Sequence, residues 1–132
     1  MARVLRFLLV ASVVGLAATA PANAAAGNAE AGKKVFAKCA VCHGIGEKKG
    51  AVGPSLNNVI GRKAGTQADF VKRYSKQMIA AGAGGLVWNE AEISTYVSDP
   101  KKKIPGNKMA FAGLKNPQEI ADVVAYIKTY SK

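Results

Sequence analysis

Cysteine and histidine are scarce in this chain, and their positions exclude several kinds of protein. Two cysteines and one histidine occur among 132 residues. A framework of several disulfides is therefore excluded, and so is a zinc site made only of cysteine and histidine, because such a site needs about four ligands. All three residues fall within positions 39–43. One short segment thus holds every thiol and the single imidazole of the chain.

Acidic residues and long hydrophobic segments are also few. The chain has 8 acidic residues against 19 basic ones, a net charge of +11. Its one long apolar segment, residues 7–20, follows Arg3 and Arg6 and precedes Ala22-Asn23-Ala24. This pattern predicts a secretory signal peptide that is cleaved after Ala24. An uncleaved membrane anchor is the alternative, although the apolar segment is shorter than the roughly 20 residues that span a bilayer.

Removal of the leader, residues 1–24, leaves one domain, residues 25–132, with enough length for a modest core. Without Arg3 and Arg6, this domain has 17 basic residues against 8 acidic ones, a net charge of +9. Such a charge favours an acidic protein surface, an anionic membrane or nucleic acid as partner, and export argues against nucleic acid. No other segment is apolar enough to span a membrane. The sequence therefore predicts a soluble periplasmic protein.

The segment Cys39-Ala40-Val41-Cys42-His43 has the spacing C-x-x-C-H, which is the attachment sequence of c-type haem. Two thiols at this spacing can add to the two vinyl groups of one haem, and the adjacent imidazole can reach the iron. The alternatives are a redox dithiol, half of a zinc site or a small disulfide loop. No strand precedes Cys39, as a thioredoxin-like dithiol would require, and zinc would need carboxylates as further ligands. The segment therefore favours one covalently bound haem c.

The rest of the domain shows helical periodicity and no useful length of alternating pattern, which predicts an all-α fold. Asparagine precedes three of the predicted helices as an N-cap. The predicted helices are 28–38, 70–81, 89–98 and a last one that opens with Asn116-Pro117. The intervening segments 44–68 and 101–115 contain glycine and proline and are predicted to be loops.

Three local features carry further predictions. Gly32 lies inside the first helix, where glycine costs roughly 1 kcal/mol relative to alanine, so we expect another helix to approach it closely. The glycines of residues 82–85 are expected to end the second helix. Glu119 stands three residues after Asn116 and is predicted to complete a capping box.

A histidine ligand leaves the other side of the iron for a methionine, a lysine or an open position, because the chain has no second histidine. Met1 leaves with the signal peptide, so the methionine candidates are Met78 and Met109. Met78 falls on the apolar face of a predicted helix, where methionine commonly fills a core. Met109 falls in an irregular loop, and loops commonly carry ligands. The residues alone favour Met109 and leave Met78 as the alternative.

Several segments of the chain resemble those of class I c-type cytochromes, the family of mitochondrial cytochrome c and bacterial cytochrome c2. In chain order they are residues 53–56, residues 61–65, Trp88, Tyr96 and residues 104–113. The last of these resembles the family's methionine-ligand loop, and the resemblance covers residues 27–132 in the family's order. It implies a single all-α domain with the class I cytochrome c fold. In that fold the helices wrap around one haem, and the first and last helices cross.

The resemblance also implies roles for individual residues around the iron. Cys39 and Cys42 would carry the thioether bonds to the haem. His43 and Met109 would be the two axial ligands of the iron. The carbonyl of Pro54 would accept a hydrogen bond from the far side of the His43 ring and so fix the ligand's orientation.

Further roles concern the remainder of the haem. The resemblance implies that Arg62, Tyr74 and Trp88 surround the haem propionates with donors. Asn107 stands where the family commonly has a threonine that bonds to the buried propionate. Tyr96 would pack beside the haem on the methionine side.

The function that the resemblance implies is single-electron transfer by a monomer that is not an enzyme. Electrons would pass from a quinol-oxidising, bc1-type complex to a terminal oxidase or a photosynthetic reaction centre. Lysines around the exposed haem edge would dock on acidic surfaces of these partners. These lysines are Lys34, Lys38, Lys101, Lys102, Lys108 and Lys115. Two alternatives remain open: a thiol–disulfide oxidoreductase using Cys39 and Cys42, and a haem peroxidase or ligand sensor in which Met109 is displaced.

Overall fold

The structure, a computed structural model, describes residues 26–132, so the predicted signal peptide lies outside the described residues. The α-helices are α1 (Ala29–Ala40), α2 (Lys76–Ala83), α3 (Glu90–Ser98), α4 (Pro100–Lys103) and α5 (Pro117–Lys128), and a 3₁₀ helix spans Ala68–Arg73. Within residues 26–132, strand-like pairing is limited to one antiparallel bridge between Lys63 and Val87. The predicted all-α class is therefore confirmed. None of these helices has the length and apolarity needed to cross a membrane.

Asparagine side chains start three of the helices, as the sequence predicts. Asn28, Asn89 and Asn116 each accept a hydrogen bond from a backbone N–H in the first turn of α1, α3 and α5. Glu119, however, does not complete a capping box. Its carboxylate forms an ion pair with Lys38 of α1, with 3.0 Å between Nζ and Oε2. That prediction is wrong because a cation from another helix offers the carboxylate a stronger partner than a backbone N–H.

The predicted single helix over residues 70–81 is also wrong, because the 3₁₀ helix and α2 divide this segment. Between them, Tyr74 is extended, with φ −60° and ψ 154°. The hydroxyl of Ser75 then accepts the backbone N–H of Met78 at 3.0 Å and so starts α2. A serine that can bond to the backbone in this way favours a helix start over a helix interior.

Two other boundaries differ from the predictions. Gly82 does not end α2 but lies within it, where a Cβ would stand 2.0 Å from the carbonyl oxygen of Ala64. Pro100 starts α4 in place of a loop. The side chain of Asp99 caps this short helix, and proline at the first helical position leaves no N–H unsatisfied.

Helices α1 and α5 pack against each other, as predicted for the first and last helices. A Cβ on Gly32 would lie 1.9 Å from the carbonyl oxygen of Asp122, so the two backbones are in contact. The ring centroids of Phe36 and Tyr126 are 5.3 Å apart. The Asp122 carboxylate accepts the backbone N–H of Asn28 at 2.7 Å. This packing fixes the position of α1, whose last turn begins the C-x-x-C-H segment.

Candidate cofactor site

A cavity of about 670 Å³ lies between the end of α1, the 3₁₀ helix, α2, α3 and residues 108–111. This volume is in the range of sites for small molecules and cofactors. Every residue predicted to contact the haem lines the cavity, except Asn107. These residues are Cys39, Cys42, His43, Pro54, Arg62, Tyr74, Trp88, Tyr96 and Met109.

The end of α1 brings the three reactive residues of the C-x-x-C-H segment to the cavity wall. The backbone N–H groups of Cys42 and His43 donate to the Cys39 carbonyl oxygen at 3.0 and 2.9 Å, so the chain makes one more turn after the helix. Both thiols are free. Burial raises the pKa of the Cys39 thiol, whereas a thiol–disulfide enzyme needs a lowered thiol pKa. Residues 26–132 contain no cluster of three or more His, Cys, Asp or Glu side chains that could hold a metal ion.

The imidazole of His43 is held in one orientation. Its Nδ1 lies 2.8 Å from the carbonyl oxygen of Pro54, and because a carbonyl can only accept, Nδ1–H donates and Nε2 keeps its lone pair. Burial lowers the pKa of His43, against the opposing effect of the Pro54 hydrogen bond. A neutral imidazole with a free Nε2 is the form that binds metals. A Cβ on Gly53 would stand 2.6 Å from Cε1 of this ring, so the ring position requires glycine at residue 53.

Asn107 holds the segment that carries Met109. Its amide nitrogen donates to the carbonyl oxygens of Pro100 and Ile104, both at 2.8 Å. Its amide oxygen accepts the backbone N–H of Met109, also at 2.8 Å. Both ends of the amide are thus bound to backbone, and Asn107 does not line the cavity. The propionate contact that the resemblance implies for Asn107 stays a prediction, and the structure shows its amide bonded to the backbone of its own loop.

Both candidate methionines line the cavity, from different elements. Met78 is buried in α2, with 8% of its surface exposed, and belongs to the hydrophobic core. Met109 is half-buried in the loop after α4. Burial in the core fits the ordinary use of methionine as a space filler. The irregular segment that Asn107 holds fits the presentation of a ligand.

Arg62 places a positive charge at another part of the cavity wall. Its guanidinium donates to the Ser55 carbonyl oxygen at 2.9 Å and to the carbonyl oxygen of Asn57. Burial lowers the pKa of Arg62, with the hydroxyl of Tyr74 nearby, but a guanidinium stays charged in proteins. Within the described chain no carboxylate lies at ion-pair distance from it. A half-buried cation of this kind favours an anionic group on whatever fills the cavity.

Trp88 and Tyr96 form an aromatic part of the same wall, with ring centroids 5.1 Å apart. Burial raises the pKa of Tyr96 to about 12 from its ordinary value of 10. Folding therefore favours the neutral phenol, and its contribution to stability is fully present below pH 10 and is lost as the pH rises from 10 to about 12.

We expect the stability of Tyr96→Phe to fall less steeply than that of the wild type above pH 10. Two pKa units correspond to about 2.7 kcal/mol, which sets an upper bound on the difference in unfolding free energy that develops by pH 12. Denaturant midpoints of both proteins, measured at pH 7, 10 and 12, test this. Parallel curves would show that Tyr96 ionises as freely in the folded protein as in the unfolded one.

The six predicted docking lysines are all exposed, but they do not all reach the cavity. Lys38 and Lys108 line its mouth, whereas the other four lie elsewhere on the surface. Three of the six make polar contacts within the protein. Lys38 forms an ion pair with Glu119, and Lys108 and Lys115 each donate a hydrogen bond to a backbone carbonyl oxygen, that of Ser98 in the case of Lys115. The remaining three are Lys34, Lys101 and Lys102.

Three residues of the 3₁₀ helix at the cavity mouth were not predicted from the sequence. Phe70, Lys72 and Arg73 all line the cavity. The guanidinium of Arg73 stacks over the ring of Phe70, with its central carbon 4.6 Å from the ring centroid. The adjacent basic residues Lys72 and Arg73 could have indicated a site. Because the sequence predicts a regular helix here, it does not place them beside the cavity.

The cavity residues fit a haem. Two free thiols have the spacing for thioether bonds, and the adjacent imidazole presents Nε2 as a ligand. Arg62 supplies the charge that a propionate would neutralise, and aromatic and aliphatic side chains supply apolar walls for the ring. Such a fold around such a cavity defines a small all-helical haem protein of the electron-transfer class.

Comparison with known proteins agrees with this class. The family model for cytochrome c matches residues 29–131. Cytochrome c2 of Afifella marina is 50% identical over 101 residues, which cover 76% of this chain and 80% of that protein. Cytochrome c2 of Blastochloris viridis is 44% identical over 126 residues, which cover 95% of this chain and 89% of that protein.

Solved structures show the same fold. Cytochrome c2 from Rhodobacter sphaeroides matches with a TM-score of 0.73 and 37% identity, over 80% of this chain and 97% of that one. Cytochrome c2 from Rhodospirillum centenum matches with a TM-score of 0.73 and 39% identity, over 80% of this chain and all of that one.

The chain belongs to the cytochrome c family. Its cofactor is one covalently attached haem c with its iron, and it is a c-type electron carrier and not an enzyme. The predicted class I fold is confirmed by the cytochrome c2 structures.

Proposed function

We propose that the mature protein, residues 25–132, is a soluble periplasmic single-electron carrier whose haem iron is ligated by His43 and Met109. When bound, the haem supplies a one-electron Fe(II)/Fe(III) couple. The observation that carries the proposal is that Cys39, Cys42, His43 and Met109 all line one cavity. Two ligands from the protein leave no vacant iron position, which opposes the peroxidase or sensor alternative.

The ligand assignment is supported by hydrogen bonds that fix each side chain's segment. Pro54 holds the His43 ring through Nδ1 at 2.8 Å, and Asn107 holds the Met109 backbone N–H at 2.8 Å. Fixed ligands need little reorganisation between two oxidation states, which suits electron transfer. The half-buried thioether of Met109 and the apolar walls both favour the less charged ferrous form, so we expect a positive reduction potential.

A redox-titrated optical spectrum of the exported protein tests the proposal. We expect a haem that remains with the protein after acid–acetone extraction, a methionine–iron absorption band in the ferric form and a positive midpoint potential. A colourless protein with two titratable thiols would contradict haem attachment. Rapid binding of carbon monoxide to the native ferrous protein would contradict ligation by methionine.

The proposed partners are a bc1-type quinol-oxidising complex as donor, and a terminal oxidase or photosynthetic reaction centre as acceptor. Support comes from the family and from the excess of basic residues, 19 against 8 in the whole chain. An acidic partner surface would steer this cation and hold it briefly, as a carrier requires. Export by the predicted leader would put the monomeric protein in the periplasm beside such membrane complexes.

Charge reversal at Lys101 and Lys102 is expected to lower the second-order rate constant of electron transfer to a bc1-type or oxidase partner about tenfold at low salt. Both lysines are exposed, so the change should act on docking more than on the fold. The difference should shrink as salt rises towards 1 M, where the Debye length is about 3 Å. Stopped-flow rates at several ionic strengths provide the measurement.

The matched control is charge reversal at Lys63 and Lys132, which are exposed but are not proposed docking residues. Lys38 is a poor choice, because its reversal would place a carboxylate beside Glu119, 3.0 Å from Nζ in the native protein. Equal rates for the two double variants, or rates that do not depend on salt, would contradict docking through Lys101 and Lys102.

A further inference from the structure

Arg73, at the end of the 3₁₀ helix, contacts two segments that are remote from it in sequence. Its Nη2 donates to the carbonyl oxygen of Val52 at 3.0 Å. Its own carbonyl oxygen accepts a hydrogen bond from Nζ of Lys108 at 3.1 Å. Its guanidinium is fixed from below by the ring of Phe70, with 4.6 Å from the central carbon to the ring centroid. We call these contacts among Val52, Phe70, Arg73 and Lys108 the clasp.

The clasp joins the segment that packs against the His43 ring to the segment that carries Met109. Val52 directly precedes Gly53, against which the His43 ring lies, and Lys108 directly precedes Met109. All members of the clasp line the mouth of the cavity. A single exposed arginine therefore bridges the histidine side and the methionine side of the site.

Apart from the hydrogen bond of Lys108, little attaches the Met109 segment to the 3₁₀ helix. It contains neither helix nor strand between α4 and α5. Asn107 ties it back towards α4, to the carbonyl oxygens of Pro100 and Ile104. In the part of the chain that the structure describes, the hydrogen bond from Lys108 to Arg73 is the one that joins this segment to the 3₁₀ helix.

We propose that Arg73 is a positioning residue that, through Lys108, holds the Met109 segment closed over the cavity and slows the opening that would uncover the iron. The guanidinium acts at a distance from the ligand, because it anchors the end of the 3₁₀ helix to Val52 and Phe70. That anchoring keeps the Arg73 carbonyl where Lys108 can reach it. The proposal rests on the proposed ligation by Met109.

Imidazole exchange into the ferric holoprotein measures the opening directly. At saturating imidazole, the rate at which the methionine–iron absorption band disappears equals the rate at which Met109 leaves. We expect Arg73→Ala and Lys108→Ala each to raise this rate about 3- to 10-fold, the size of one ordinary hydrogen bond. The double variant should be no faster than the faster single variant, because both changes break one connection.

Lys76→Ala is the matched control. Lys76 is exposed, lies three residues beyond Arg73 and carries the same charge. Its opening rate should equal that of the wild type. Global stability from guanidinium unfolding should change little in Arg73→Ala, since an exposed side chain is removed, so a faster opening would not reflect general loosening.

The outcomes separate this inference from the proposed function. Absence of the methionine–iron band in the wild type would overturn ligation by Met109 itself. A normal band with equal opening rates in Arg73→Ala, Lys76→Ala and the wild type would overturn the clasp and leave the ligation standing. Additive effects of Arg73→Ala and Lys108→Ala would also overturn it, because the two residues would then act separately.

Discussion

Replacement of Met109 by leucine is expected to abolish the methionine–iron absorption band and to lower the reduction potential by on the order of 0.1–0.3 V, part of the roughly 0.8 V range that axial ligands span. A soft thioether stabilises ferrous iron, and leucine leaves that position to water or to no ligand. Met109 lines the cavity, and its backbone is fixed by Asn107 at 2.8 Å. The measurement is a redox titration followed in the visible spectrum.

Met78→Leu is the control, because Met78 lines the same cavity and the substitution nearly conserves its volume. This variant should keep the band, and its potential should change far less than that of Met109→Leu. Loss of the band in Met78→Leu, with its retention in Met109→Leu, would reverse the assignment. Retention of the band in both variants would mean that either methionine can ligate the iron, which would contradict a unique role for Met109.

Replacement of Gly32 by alanine is expected to destabilise the holoprotein by about 2–4 kcal/mol. Helix propensity alone would favour alanine by roughly 1 kcal/mol. The contact with α5 outweighs this gain, because the new Cβ would stand 1.9 Å from the Asp122 carbonyl oxygen and 2.9 Å from Cβ of Tyr126. The helices must therefore move apart. For a domain of this size the melting temperature should fall by roughly 10–25 °C, which calorimetry would record.

Gly84→Ala provides the comparison for Gly32→Ala. Gly84 follows α2 with φ −74°, and the nearest atom to a Cβ there would be 3.4 Å away. Alanine should be tolerated at this position and should even stabilise slightly, because it restricts the unfolded chain. An unchanged melting temperature in Gly32→Ala, or equal losses in both variants, would contradict the close contact of α1 with α5.

Helix starts were predictable from the sequence where the signal was local. Asn28, Asn89 and Asn116 cap helices by bonding to atoms a few residues away. A short segment of sequence is therefore enough to predict each helix start. The break at Tyr74 and Ser75 was not predicted. Apolar residues at helical spacing fit one long helix as well as two short ones, and the serine cap competes with continuation by only about 1 kcal/mol.

The same distinction holds for the candidate site, where features set by neighbouring residues were predictable and features set by distant residues were not. The C-x-x-C-H segment identified the haem site from the sequence, because its spacing carries that chemistry, and the preference for Met109 over Met78 stays a prediction. The pairing of Lys38 with Glu119 spans 81 positions, and Arg73 meets partners 21 and 35 positions away. Contacts at such separations depend on the assembled fold. The role of Asn107 likewise depends on whether an amide reaches a cofactor or its own backbone.

Because α1 packs on α5, closure of the domain must wait until the end of the chain has been synthesised. Asn28 and Asp122, which meet in the finished domain, are 94 positions apart in the chain. A chain is made from its N-terminus, so at ordinary rates of synthesis α1 exists for on the order of 10 s before α5 can cover it. Throughout that interval the thiols of Cys39 and Cys42 belong to an unpacked segment. The native contact between α1 and α5 can therefore form only after nearly the whole domain has been synthesised.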